Sequence, residues 1–158
     1  MSSEIEILVT GYLFTGKGYR SFESVLLKLL EDAGYEIIIA TYRFGSGIDP
    51  IIARLRNAAK NGVRVYIVVD SLHDQPDHVR TLLLDVCKKY KNVKLFDFNK
   101  ITGRHLHAKV IIIDRRIAIV GSANITWGGL VENHEICLMV RGKIAAHIAS
   151  ILDEVISY

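Results

Sequence analysis

The sequence contains little of what marks disulfide-stabilised, fibrous or membrane-spanning proteins. Only two of its 158 residues are cysteine and two are proline. So few cysteines exclude a disulfide-rich scaffold, and we expect Cys87 and Cys137, both within apolar patterns, to be reduced core residues. Apolar runs such as Val110–Ile113 are far shorter than the span of a bilayer. The composition therefore favours a folded domain of a reducing compartment.

Aromatic residues are also scarce, at 8%, although half of the chain is hydrophobic. This combination predicts an aliphatic core in a single domain that spans residues 1–158. Residues 1–4 show no basic segment before an apolar core, so we expect no signal peptide and a cytoplasmic location. The formal net charge of +3 permits an anionic partner such as nucleic acid without requiring one.

The first two thirds of the chain alternate between short apolar runs and amphipathic stretches. Ser21 is typical of a helix N-cap, and Asp49-Pro50 resembles a cap followed by a first-turn proline. We predict strands at 5–9, 36–41, 63–69 and 93–98, and helices after Ser21, after Asp49 and over 79–90. This alternation predicts parallel strands joined by crossover helices.

After about residue 104 the pattern changes. Two β-rich runs, 106–113 and 117–120, are separated only by residues 114–116, which is too short a gap for a crossover helix and predicts an antiparallel hairpin. A strand over 134–140 and a final helix with an apolar stripe from 144 to 155 follow. The expected fold is a three-layer α/β/α sandwich with a mixed, largely parallel central sheet.

Polar residues gather around the predicted hairpin. His107 and Lys109 are two apart, so a strand directs both side chains to one face. A hairpin symmetric about Arg115 pairs residues whose numbers sum to about 230, which places Lys109 opposite Gly121. We expect Gly121 to let the backbone approach a substrate closely.

Ser122 and Asn124 fall beside this pair, at the same end of the sheet. The imidazole can act as nucleophile or proton carrier near neutral pH, and the ammonium can neutralise phosphoryl oxygens. The hydroxyl and the amide can hydrogen-bond the same oxygens. These groups together suit a phosphodiester.

The spacing of these residues resembles the signature of the phospholipase D superfamily. Six identities fall within 18 residues: His107-x-Lys109-x4-Asp114-x6-Gly121-Ser122-x-Asn124. The stretches Ile39-Ala40-Thr41-Tyr42 and Asn61-Gly62-Val63-Arg64-Val65 are also similar to the family, and Glu135 matches an acidic residue that it often carries. In size and single motif the chain is most similar to the small bacterial endonucleases of the superfamily.

The resemblance implies a metal-independent phosphodiesterase that needs no cofactor. One His107 attacks phosphorus to form a phosphohistidine, and a second His107 protonates the leaving oxygen and then activates water. Because the chain has one motif, the second histidine must come from another copy, in a homodimer whose signature strands lie adjacent. The resemblance also makes Asp114 and Glu135 candidates for orienting the histidines. Strand alternation, however, places Asp114 off the His107 face, where it could instead form the turn or an interface.

Further residues are candidates for the wall of a substrate groove: Arg43, Arg104, His105 and Trp127. Each has a plainer alternative, namely a solvated surface for the arginines and packing under its loop for Trp127. His105 and His107 could form a metal pair only with additional ligands, and a pocket wall is the favoured role for His105. Gly16-Lys17-Gly18 lacks the full spacing of a phosphate-binding loop and is expected to be a surface turn.

The leading hypothesis is therefore a homodimeric nuclease acting on DNA or RNA. One alternative is a phospholipid hydrolase or phosphatidyl transferase, although two motifs are usual in such enzymes. Another is a nucleic-acid-binding dimer module without catalysis, against which the intact signature speaks. The chain could also be part of a larger enzyme whose target is chosen elsewhere.

Overall fold

A computed structural model describes residues 4–158 and shows an eight-stranded sheet covered by helices. Residues 1–3, which contribute to the expectation of no signal peptide, lie outside the described part. The strands are β1 (Ile5–Thr10), β2 (Arg20–Ser21), β3 (Glu36–Thr41), β4 (Arg64–Val69), β5 (Val93–Asp97), β6 (Val110–Ile113), β7 (Ile117–Gly121) and β8 (Glu135–Arg141). The helices are α1 (Phe22–Asp32), α2 (Asp49–Lys60), α3 (Asp77–Lys89), α4 (Phe98–Thr102) and α5 (Lys143–Ile156), with a short π-helix at Gly128–Glu132.

The sheet has the strand order β2-β1-β8-β7-β6-β3-β4-β5. Strands β3, β4 and β5 are parallel, as their alternation with helices predicts. Strand β3 is buried at all six positions, which explains why it consists almost entirely of apolar residues.

The other half of the sheet is antiparallel. The hairpin of β6 and β7 has the predicted register, from Val110 opposite Val120 to Ile113 opposite Ile117. Strand β8 pairs antiparallel with both β7 and β1. Four of the seven pairings are consequently antiparallel. The mixed sheet is confirmed, but its parallel part is smaller than expected because β1 joins β8 and not β3.

Two apolar clusters, one on each face of the sheet, confirm the three layers. The larger cluster joins α1, α2 and α3 to residues such as Ile37, Ile39 and Ile67. The smaller one joins α5 to Ile38 and Ile112 on the opposite face. Alternate residues of β3 thus enter different clusters, as the two-residue period of a strand requires.

Several element boundaries differ from the prediction. Ser21 caps α1 as expected, accepting a hydrogen bond from the amide of Ser24 at 3.4 Å. Asp49 is not the cap of α2, since Ile48 holds that position and Asp49 lies inside the helix. Strand β5 ends at Asp97, whose carboxylate accepts from the Lys100 amide at 2.9 Å and so begins the unpredicted helix α4.

The cysteines and the glycine-rich loop agree with their plainer interpretations. Cys137 is buried, Cys87 is half-buried and both thiols are free. Burial raises the pKa of each thiol, which disfavours reactive thiolate. Gly16 and Gly18 have positive φ in an exposed turn, as expected for a surface loop. Within residues 4–158, every helix is too short or too polar to cross a bilayer.

Candidate active site

The candidate site lies at the edge of the sheet where the parallel strands end. Strand β3 ends at Thr41, and Asp70 directly follows β4. A segment without regular secondary structure, residues 103–109, leads from α4 past Asp70 to the start of β6 at Val110. The signature histidine and lysine therefore precede the strand in which they were predicted. The carboxyl ends of parallel strands are the usual position for ligand binding in α/β folds.

His107 and Lys109 form a contacting pair. The Lys109 Nζ lies 3.4 Å from Nδ1 of His107 and donates to the His107 carbonyl at 3.1 Å. The Tyr42 ring packs against the imidazole with a centroid distance of 4.9 Å. His107 is nevertheless exposed. This arrangement places a cation beside an accessible imidazole whose Nε2 has no partner among the described residues.

Gly121 has a structural reason different from the one expected. Its amide donates to the Lys109 carbonyl at 3.4 Å, so the predicted pairing continues beyond β6. A Cβ at this position would lie 2.5 Å from the Cα of Cys137. Glycine is thus required by the close approach of β8, and the expectation that it also makes room for substrate stays a prediction.

Ser122 and Asn124, which follow the end of β7, have different partners. The Ser122 hydroxyl donates to the Glu135 carboxylate and accepts from the amide of Ile136 at 3.1 Å. The Asn124 Oδ1 lies 3.4 Å from the hydroxyl of Thr41, which donates to it. Glu135 is therefore held on the β8 side by Ser122. Among residues 4–158, no hydrogen bond joins Glu135 to His107.

Asp114 does not belong to this cluster. It follows β6 at the hairpin turn, with a φ of 52°, seven residues or roughly 20 Å of extended chain from His107. Its carboxylate accepts from the amides of Gly34 and Tyr35 at 2.8 Å and of Glu36 at 2.9 Å. These contacts fit the alternative of a turn residue, since Asp114 fastens the hairpin to the connection between α1 and β3. A catalytic role for Asp114 stays a prediction.

The candidate groove residues surround the same edge of the sheet. Arg43 and Arg104 are exposed in the loops after β3 and before His105. Trp127 is 44% exposed, and its amide donates to the Ser46 carbonyl at 2.9 Å. A Cβ at Gly47 would lie 2.9 Å from the indole, so one side of Trp127 packs on this loop while the rest faces solvent.

His105 has a partner that the sequence did not indicate. Its Nδ1 lies 3.0 Å from the carboxylate of Asp70, a side chain that is almost fully buried. His105 and His107 thus engage different groups. Within the described residues, no set of three or more His, Cys, Asp and Glu side chains is placed to hold a metal ion.

Sequence reasoning missed three residues of this region: Thr41, Tyr42 and Asp70. Each of them stands at or just after the end of a predicted parallel strand, a position that favours a functional role. Thr41 and Tyr42 also belong to a stretch that is similar to the family. Their contacts span distances of 35 to 83 residues along the chain, which local patterns do not reveal.

Comparison with known proteins agrees with this geometry. A family profile described as "Cardiolipin synthase, PLD-like domain" matches residues 26–156. This chain belongs to that phospholipase D-like family. The superfamily is one of phosphodiesterases, and the phospholipase D-like fold expected from the motif is confirmed.

Individual relatives extend the match over most of the chain. DISARM protein DrmC of Bacillus paralicheniformis is 27% identical over 98% of this chain and 64% of its own length. Cardiolipin synthase B of Escherichia coli is 36% identical over 74% of this chain but only 28% of its own. The crystal structure of Nuc, a phospholipase D family member from Salmonella typhimurium, matches with a TM-score of 0.74 at 19% identity, covering 99% of this chain and 95% of Nuc. This phospholipase D-like chain thus spans less than two thirds of both curated relatives.

Proposed function

We propose that this phospholipase D-like chain is a metal-independent nuclease that hydrolyses DNA or RNA in an active site shared by two copies. The observation that carries the proposal is the contacting pair of exposed His107 and partly exposed Lys109 beside the end of β7, which Ser122 and Asn124 follow. One chain thus offers one nucleophilic imidazole and one cation, which is half of what the two-step chemistry needs.

In the first step the unpartnered Nε2 of His107 attacks phosphorus and a P–N bond forms. The P–O bond to one nucleoside breaks, and the departing oxygen takes a proton from the His107 of the second copy. In the second step that imidazole takes a proton from water as the water attacks phosphorus, and the P–N bond breaks. Atoms and protons balance without a metal or an external co-reactant.

The surrounding groups stabilise the negative charge that develops on phosphorus. The Lys109 ammonium, 3.4 Å from the His107 ring, neutralises non-bridging oxygens, and the Asn124 side-chain N–H donates to them. The Ser122 hydroxyl donates to Glu135, so it must turn away from that carboxylate before it can donate to a phosphoryl oxygen. The role of Glu135 in orienting a histidine stays a prediction for the assembled dimer.

An exposed apolar strip supports the dimer. It comprises Ile7, Val120, Ile136 and Leu138, which are between 37% and 53% exposed. Leu138 lies opposite both Ile7 and Val120 in the sheet, so the strip crosses three neighbouring strands on one face. Helix α5 covers the adjoining part of that face. A second copy that brings its histidine to this edge would also cover the strip.

The choice of nucleic acid rests on the cationic edge of the sheet. Arg43, Arg104 and Lys109 lie close to the strand ends, and Trp127 leaves part of its indole free to stack on a base.

The competing candidate is phosphatidyl transfer or phospholipid hydrolysis. It is favoured by the description of the family profile and by the 36% identity to cardiolipin synthase B.

The test is cleavage of single- and double-stranded DNA and of RNA in excess EDTA, with wild type, His107→Ala and the exposed control His147→Ala. We expect wild type and His147→Ala to cleave equally, and His107→Ala to lose at least about a thousandfold in rate. Undiminished cleavage by His107→Ala would overturn the chemistry. Hydrolysis of phosphatidylglycerol vesicles by wild type without cleavage of any nucleic acid would favour the lipid reaction instead.

A further inference from the structure

The buried carboxylate of Asp70 contacts residues 103–109, the segment that carries His107. The Asp70 side chain is 5% exposed, and its Oδ1 accepts from the Leu106 amide at 2.6 Å. Its Oδ2 lies 3.0 Å from Nδ1 of His105. Taking a carboxylate out of water is costly unless its oxygens are satisfied, and here the two partners come from adjacent residues of one segment.

The partner imidazole is not buried with the carboxylate. The His105 side chain is 75% exposed, so the ring extends from Asp70 into solvent. An ionised carboxylate only accepts hydrogen bonds, so Nδ1 of His105 is the donor and Nε2 lies on the outer side of the ring. When the His105 ring carries both protons, its Nε2–H is a cationic donor, and the Asp70 carboxylate on the other side of the ring balances the charge.

Retention of the segment does not require this histidine. The Leu106 amide is already bound to Asp70, and the Leu106 side chain enters the core cluster beneath α5. His105 adds no apolar packing, since most of its surface remains in water. A ring held on one side by a buried acid and open on the other is arranged to bind a ligand.

The ligand is indicated by the position of His105 relative to the nucleophile. His105 and His107 are two residues apart, so their Cα atoms are at most about 7 Å from each other. Successive phosphates of an extended polynucleotide strand are separated by a comparable distance. A strand whose scissile phosphate lies at His107 therefore brings a neighbouring phosphate towards His105.

We propose that His105, held by Asp70, binds the phosphate adjacent to the scissile one and so favours polynucleotides over substrates with a single phosphodiester. This inference rests on the proposed nuclease function and adds a subsite to it. Asp70 holds the ring on its inner side, and the flanking phosphate accepts a hydrogen bond from Nε2 when the ring carries both protons. No covalent step is involved.

The binding test uses a labelled oligonucleotide and a His107→Ala background, which prevents cleavage. In a salt titration we expect His105→Gln to raise the Kd roughly fivefold and to reduce the slope of log K against log salt by about 0.7 to 0.9, the value for one lost phosphate contact. His105→Arg should restore both, because it returns the charge. His147→Gln, at the exposed histidine of α5, is the matched control.

The catalytic test compares two substrates, a dinucleoside monophosphate and a trinucleotide with one flanking phosphate. The ratio of their kcat/KM values should fall in His105→Gln, with the loss in KM and not in kcat. Asp70→Asn should lower the same ratio, and combining the two changes should add little. An unchanged salt slope and ratio in His105→Gln would overturn the subsite. Equal losses on both substrates would also overturn it, since His105 would then act on the chemistry or the fold.

A failure of the proposed nuclease function can be distinguished from a failure of the His105 subsite. If wild type neither binds nor cleaves any polynucleotide, the nuclease proposal fails before any variant is compared, and the subsite fails with it. If wild type cleaves both substrates and the variants match it, only the subsite fails.

Discussion

At the scale of single residues, the contacts of Asp114 favour the turn role over the catalytic one. Its carboxylate accepts from three consecutive backbone amides, and its own backbone has positive φ. The Tyr35 hydroxyl also donates to the Asp114 carbonyl. This residue therefore connects the turn to the start of β3, and we expect it to affect the site through the position of the hairpin.

We expect Asp114→Ala to lower the free energy of unfolding by about 3 kcal/mol, because three amides lose a charged acceptor. Urea denaturation followed by circular dichroism measures this loss. At temperatures where the variant is folded, its cleavage rate should fall far less than that of Lys109→Ala, which is the matched variant within the site. A catalytic Asp114 would give the reverse: nearly unchanged stability and a large loss of rate.

At the scale of elements, the β6–β7 hairpin is fixed to both layers of helices. Arg115, next in the turn, donates to the buried carboxylate of Glu36 at 2.7 Å. It also donates to both oxygens of Asp153 on α5, at 2.9 and 2.7 Å. One guanidinium thus joins β3, the hairpin and α5 in a geometry that lysine does not reproduce.

This contact gives the fold an acid-sensitive component. Hydrogen bonding to Arg115 lowers the pKa of Asp153 below its ordinary value. A carboxyl whose pKa is lower when folded stabilises above its unfolded pKa of about 3.9, and that stabilisation disappears as the pH falls through the folded pKa. We therefore expect wild type to lose stability below about pH 4 more steeply than Asp153→Asn.

The midpoints of urea denaturation, measured between pH 2.5 and 6 for wild type and Asp153→Asn, test this expectation. Asp153→Asn should be the less stable protein at pH 6, and the difference should shrink at the acid end. The exposed change Asp85→Asn, at a surface pair with Arg56 on α2 and α3, serves as control. Parallel curves for wild type and Asp153→Asn would contradict the argument.

At the scale of the whole molecule, the apolar strip and the one signature histidine, His107, both favour the same surface for association with a second copy. The strip lies on β1, β7 and β8, and β8 begins with Glu135 at the candidate site. Covering the strip and completing the site are therefore one event in the proposed assembly. This coupling predicts that variants which block association also abolish cleavage.

We expect Leu138→Lys to be a folded monomer without nuclease activity, because a charge in the strip opposes burial by a second copy. Leu84→Lys, an equally exposed leucine on α3, should remain dimeric and active. Sedimentation velocity and circular dichroism measure mass and fold. A monomeric Leu138→Lys with full activity would contradict the shared site.

Mixed dimers provide a second measurement. When wild type and His107→Ala are unfolded together in equal amounts and refolded, random pairing leaves about one quarter of the dimers with two histidines. Activity should fall to about one quarter of that of the same total amount of wild type, because each site needs both histidines. A fall to one half would indicate that each chain acts alone.

Local patterns in the sequence determined much of this protein. The β6–β7 hairpin and its register follow from two β-rich runs and a short turn, all between residues 106 and 120. The helix cap at Ser21 and the parallel strands β3 to β5 follow from equally short-range features. The spacing of His107, Lys109, Ser122 and Asn124 was likewise sufficient to name the family. These features are local because hydrophobic periodicity, capping and turn length act between near neighbours.

Only the tertiary structure decided which distant segments meet. It inserts β8 between β1 and β7, and this pairing makes Gly121 a packing residue against Cys137. It brings Asp114 to the amides near Gly34, about 80 residues away, and Asp70 to His105. The sequence does not show which amide or imidazole a carboxylate will bind, because packing of the layers determines its long-range partners. For this reason the family could be predicted from the sequence, while the residues that support the candidate site could not.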